Sequence, residues 1–153
     1  MVRVFNAHPR HRIRRKETLR LVRRVLHGEQ RRPADLNVVY VDDSVMTRLN
    51  TKFLRHRRTT DVLSFVLEES GDPGAAPDAE VYVNLDQARR QARDAGVRFT
   101  EEVARLVIHG ILHLAGHDDA TGPQRRAMTQ LEDAYLERLG MTAGARKKER
   151  QHG

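Results

Sequence analysis

From Thr100 to Ala115 the chain carries Val103, Leu106, Val107, Ile108, Ile111, Leu112 and Leu114 at spacings that fill most of the circumference of one α-helix and leave a single polar stripe. A helix of that kind has to lie inside a domain, with the other elements packed around it. Its flanks agree: Thr100 is placed to cap the N-terminus, Glu101 and Glu102 complement the helix dipole, and Gly116 offers a stop. The polar stripe reads Glu102, Arg105, His109 and His113. Buried, it needs partners, because an unpaired buried polar group costs roughly 1–3 kcal/mol and an unpaired charge more.

His109 and His113 are one turn apart, so both imidazoles project from one helical face and can reach a single metal ion. A helical histidine pair at this spacing is, taken alone, more often a core or surface pair than a ligand pair. Here the apolar surround, the immediate glycine and the residues beyond it favour the metal. After Gly116 the chain can turn back and bring His117, Asp118 and Asp119 toward the two helical ligands, supplying a third from the turn. Cysteine is absent, so there is neither a disulfide framework nor a thiolate cage, and histidine and carboxylate must hold any metal.

The segment His109-Gly110-Ile111-Leu112-His113-Leu114-Ala115-Gly116-His117-Asp118-Asp119 resembles the signature His-Gly-x-Leu-His-Leu-x-Gly-Tyr-Asp-His of the YbeY family of bacterial metal-dependent endoribonucleases, and Thr60-Asp61-Val62-Leu63-Ser64-Phe65 is similar to a second motif of that family. The resemblance spans residues 35–139. It departs at His117, where the family usually has Tyr, and at Asp119, which stands on the position of the third metal-binding His. It therefore implies one Zn²⁺ held by His109, His113 and Asp119, with His117 lining the pocket or contacting a ligand from behind. The family also places an arginine directly after the aromatic residue that here is Phe53. Position 54 is Leu, so the resemblance passes the phosphate-clamping role to Arg55, Arg57 or Arg58.

Elsewhere the patterns alternate between helix and strand. Val2–Phe5 is a short strand, and Ile13–Leu26 a basic amphipathic helix whose arginines make a phosphate-contacting face. Leu36–Val41 is a strand, and a helix capped by Asp43 or Ser44 runs to Phe53. The unbroken apolar run Val62–Leu67 predicts a central strand covered on both faces, and 68–78 a mobile loop. Glu80–Asn84 is a strand, Leu85–Ala95 a solvent-facing helix, and Gly122–Leu139 a last helix that packs and carries no chemistry. The expectation is a single α+β (mixed α/β) domain over residues 1–140, with a small mixed sheet of about four strands, packed helices, and the metal site on a buried helix and its following turn. Residues 141–153 read as a basic, disordered tail.

The formal net charge of +7 favours a polyanionic partner. Aromatic residues make up only 5%, leaving no stacking platform, so contact with RNA falls chiefly on phosphate. No apolar run approaches the ~18–20 residues of a membrane span, and no signal-peptide core is visible; the expected location is cytoplasmic, with no membrane partner. The resemblance implies a zinc-dependent hydrolase cutting single-stranded RNA in rRNA maturation and ribosome quality control, with rRNA and the ribosomal small subunit as partners. Two alternatives are a zinc peptidase, whose His-Glu-x-x-His helix would need a glutamate where this chain has Gly110, and a non-catalytic ribosome-associated RNA-binding protein with a structural metal.

Overall fold

A computed structural model describes residues 1–54 and 60–141. Nine elements follow in the order β1 (Val2–Asn6), α1 (Arg15–Gly28), β2 (Leu36–Val41), α2 (Asp43–Leu54), β3 (Val62–Glu68), β4 (Asp78–Asn84), α3 (Leu85–Ala95), α4 (Phe99–Leu114) and α5 (Gly122–Arg138). The four strands form one sheet in the order β1-β2-β4-β3. β1, β2 and β4 are parallel, and β3 returns antiparallel to β4. The chain is thus a single α+β domain with a small mixed sheet, as its alternating patterns predict.

α4 is the centre. Glu101 through Ile108 are all buried on it, together with Gly110, Ile111 and Leu112. It packs against α1, α3, α5 and the sheet, with Val22, Val25, Val38, Val81 and Leu136 in the shared core. Gly110 sets how closely it lies on β4: a Cβ there would fall 2.7 Å from Val81 Cγ1 and 3.3 Å from Ser64 Oγ. The glycine therefore serves a close helix–sheet approach and not flexibility.

Several expectations need correction. β3 is an edge strand, and its far end is open, with Val66 and Leu67 exposed. Its apolar run lacks alternation because both faces are used differently: Val62 and Ser64 lie under α4, whereas Phe65 meets Phe53 at 5.3 Å and Tyr82 at 5.8 Å between ring centroids. A doubly covered strand and an edge strand with an aromatic cluster on one face read alike. α3 is amphipathic, not wholly solvent-facing, and buries Leu85, Ala88 and Ala92. Thr100 does not cap α4; the helix starts one residue earlier, after Arg98, with no side-chain cap. The 68–78 connection is pinned where it passes Arg32, whose N–H donates to Gly74 O at 2.7 Å and whose carbonyl accepts from Ala76 N at 2.9 Å. Residues 142–153, and with them almost all of the basic tail, lie outside the described residues. Among those described, no helix is long and apolar enough to cross a membrane.

Candidate metal centre

The helix that carries the histidines ends on glycine. Ala115 closes α4 and Gly116 takes φ +104°, a conformation costly for any residue with a Cβ. Gly116 N then donates to His113 O and His117 N to Leu112 O, each at 3.0 Å. These are the paired bonds of a Schellman turn, and they reverse the chain over the last carbonyls of the helix. Asp119 is thereby carried back against the two helical imidazoles.

His109 Nε2 stands 3.2 Å from Asp119 Oδ2, and His113 Nε2 stands 3.4 Å from Asp119 Oδ1. One donor atom from each of the three lies within 4.8 Å of the others. In a tetrahedral zinc site with bonds of about 2.0–2.1 Å, neighbouring donors are separated by roughly 3.3 Å. The two imidazole–carboxylate separations, made to different oxygens of Asp119, are close to that value, and the donor set of two imidazoles and a carboxylate suits such an ion.

The other nitrogen of His109 is also engaged. His109 Nδ1 lies 2.8 Å from Glu132 Oε2 on α5. Glu132 Oε1 accepts from Arg105 at 2.9 Å, and the same guanidinium reaches Asp133 Oδ1 at 2.5 Å. Burial alone would lower the His109 pKa, but the Glu132 bond and charge, with the Asp119 and Asp61 carboxylates, overcome it and hold the group above the usual imidazole range. A carboxylate behind a histidine fixes ring orientation and tautomer, leaving Nε2 toward the ion. The Glu102, Arg105, His109 stripe that the sequence left needing partners is thus satisfied largely from α5.

Glu132 is the residue that sequence reading missed, having found no chemistry on the last helix. The signal was there: with Met128, Leu131, Tyr135 and Leu136 it forms one helical face, so a glutamate sits among the apolar positions.

His117 points elsewhere. Its Nε2 meets Glu29 Oε1 at 2.5 Å, and Glu29 Oε2 accepts from Tyr135 Oη at 2.7 Å. Burial pushes the Glu29 pKa up, yet those two bonds outweigh it and the carboxyl sits below its ordinary value. His117 is absent from both cavities that open on the donor set. It ties the turn to the end of α1, where Gly28 leaves room for the Tyr135 ring; a Cβ at Gly28 would fall 2.2 Å from Tyr135 Oη.

Two cavities meet at the His109–Asp119 pair. One, of about 240 Å³, is lined by Asp61, Glu102, Arg105, Arg125 and Glu132 among others. The second, of about 450 Å³, runs along β3 past Thr60, Asp61, Leu63 and Ser64 to His113. Arg125 is a cation on the rim that the sequence did not single out. Arg55, Arg57 and Arg58 lie outside the described residues.

A second cluster, His8, His11 and Asp86, also brings three donor atoms together, but its bonding argues against a cation. His8 Nδ1 accepts from Arg10 N at 3.1 Å and His11 N at 3.0 Å, so the ring proton sits on Nε2, which donates to Asp86 Oδ1 at 2.8 Å. No lone pair remains there for a metal.

The sequence of residues 3–140 matches the family model described as Endoribonuclease YbeY. A Chlorobium luteolum protein of that name is 37% identical over 120 residues, covering 78% of this chain and 85% of its own length. One from Salinibacter ruber is 39% identical over 125 residues, covering 78% and 80%. The solution structure of TM1509 from Thermotoga maritima superposes with a TM-score of 0.62 at 25% identity, over 100% of this chain and 96% of that one. A family match over nearly the whole chain, relatives of this identity and a shared fold that includes the helix bearing His109 and His113 lead to one assignment: the chain belongs to the YbeY endoribonuclease family.

Proposed function

We propose that this protein is a zinc-dependent endoribonuclease that hydrolyses single-stranded RNA, acting on rRNA at the ribosomal small subunit in cytoplasmic rRNA maturation and quality control. Membership of an endoribonuclease family makes it a hydrolase of RNA; the observation that supports metal dependence is the convergence of His109, His113 and Asp119, whose donor atoms gather within 4.8 Å of one another. When bound, the ion supplies Lewis acidity, making water a better nucleophile near neutral pH and polarising a phosphoryl oxygen.

The protein's own residues do the rest. Glu132 holds the His109 ring in register, and Arg105 holds Glu132. Arg125 stands where a guanidinium can meet a phosphate oxygen at the cavity rim, and Arg55, Arg57 and Arg58 are assigned the same role from the chain after α2. The cavity along β3 runs past Thr60, Asp61, Leu63 and Ser64 to His113, a path that suits a strand of RNA. The peptidase alternative has no place for its general base, because the residue after His109 is Gly110 and even a Cβ there would collide with Val81.

The test is metal content of the purified protein together with cleavage of a single-stranded RNA before and after chelation. Stoichiometric zinc, with cleavage lost on chelation and restored by zinc, is expected. Chelation-resistant cleavage, or protein that takes up no zinc, overturns the reading.

A further inference from the structure

The carboxylates lining the two cavities are Asp61, Glu102, Asp119 and Glu132. Asp119 faces both histidines. Glu132 is held between His109 and Arg105. Glu102 accepts from Gln91 Nε2 at 2.7 Å. Asp61 alone of the four has no hydrogen bond or ion pair to its carboxylate among the described residues, although it lines both cavities together with His109 and Asp119.

Its backbone, by contrast, is fixed. Asp61 O accepts from Asn84 N at 2.8 Å, and Thr60 O accepts from Asn84 Nδ2 at 3.1 Å. Asn84 is fully buried, and its Oδ1 caps α3 through Asp86 N and Gln87 N. The result is a hydrogen-bonded main chain that presents to the cleft a half-buried carboxylate with no hydrogen bond of its own among the described residues. Such a group repels an anionic substrate and makes no bond that stabilises the fold among the described residues, its charge acting at a distance on His109, so its placement calls for a chemical use. It does not join the three residues whose donor atoms gather within 4.8 Å, which argues against a fourth ligand.

We propose that Asp61 is the general base of phosphodiester hydrolysis. This rests on the metal-dependent reading given above. The oxygen of water forms a bond to phosphorus, its proton passes to the Asp61 carboxylate, the bond from phosphorus to the leaving ribose oxygen breaks, and that oxygen takes a proton from solvent. Asp61 then returns its proton to solvent, and no other reactant is required.

Asp61→Asn removes the proton acceptor while keeping size and disturbing no bond of the side chain. Three measurements accompany it: zinc affinity of chelator-stripped protein by calorimetry, affinity for a single-stranded RNA in the presence of chelator, and single-turnover cleavage with zinc. Zinc affinity within about threefold of the unmodified protein, undiminished RNA affinity, and cleavage slowed roughly 100- to 10,000-fold are expected. Asp61→Glu, which restores a carboxylate at a different reach, recovers part of the lost rate. A large fall in zinc affinity makes Asp61 a ligand and overturns the proposal. A fall in RNA affinity that accounts for the lost rate makes it a substrate contact and also overturns it, as does an unchanged rate. Failure of the unmodified protein to bind zinc is a separate result, which removes the metal-dependent reading itself.

Discussion

Glu132 Oε2 lies 2.8 Å from His109 Nδ1 while its other oxygen holds the buried Arg105 guanidinium, so one carboxylate joins the proposed metal centre to the ion-pair network in the core. Glu132→Gln keeps the shape and one acceptor but removes the charge. Zinc affinity is expected to fall about 10- to 100-fold, measured by competition with a calibrated chelator. Glu132→Ala should instead destabilise the fold, by about 3–5 kcal/mol, because it leaves Arg105 with a partly unpaired charge in the core. Unchanged zinc affinity in the glutamine variant would show that the contact does not support the ligand.

The ligand assignment separates Asp119 from His117. His109→Ala and His113→Ala should each lose zinc and RNA cleavage while remaining folded. Asp119→Ala should lose zinc sharply, and Asp119→His, which restores the family's usual residue, should keep it. His117→Ala should retain zinc, since that ring faces Glu29. Metal analysis of the five purified variants decides the matter, and zinc loss in His117→Ala with full occupancy in Asp119→Ala reverses the assignment.

The proposed clamp makes a separate prediction. Replacing Arg55, Arg57 and Arg58 together with Ala should weaken RNA binding and flatten its dependence on salt, because fewer counterions are released on association. Binding isotherms over a range of salt concentration provide the slope. A slope equal to that of the unmodified protein would leave these arginines without a part in binding RNA.

What was legible in the sequence was periodic or local. The buried α4, the one-turn spacing of His109 and His113 and the turn at Gly116 are properties of a single continuous segment, and each was readable from spacing. Asp119 as third ligand came instead from resemblance. Glu132 is on the next helix, and only the packing of α5 on α4 brings it to His109. The pairing of His117 with Glu29 joins residues 88 apart, and no local pattern encodes it. The edge position of β3 was hidden because aromatic rings on one face mimic the covering that a helix would give.

Acid stability should carry a mark of Asp86. Burial would raise its pKa, but the Asp43 N–H and the His8 ring donor outweigh that and hold the carboxyl below its ordinary value. A group depressed in the folded state contributes stability that is present above its unfolded value of about 3.9 and is lost as pH falls through the folded value. Asp86→Asn should therefore be less stable at pH 7, with the gap to the unmodified protein closing as pH falls below about 4. Urea midpoints across that range supply the comparison; a gap independent of pH would remove Asp86 from the account.

Gly110 offers a test of how the sheet sets the height of the metal-bearing helix. A methyl group at this position would meet Val81 Cγ1 at 2.7 Å, and Val81 is wholly buried on β4. Overpacking of this kind costs about 1–3 kcal/mol, and relief requires α4 to lift from the strand and carry His109 and His113 with it. Gly110→Ala is therefore expected to lower both thermal stability and zinc affinity. Val81→Ala alone opens a cavity and is also destabilising, yet it removes the atom that collides. The double variant should then be more stable than the sum of the two losses predicts, because the new methyl fills the space that the shorter side chain vacates. Strict additivity of the two changes would mean that the helix is held off the sheet by something other than this contact.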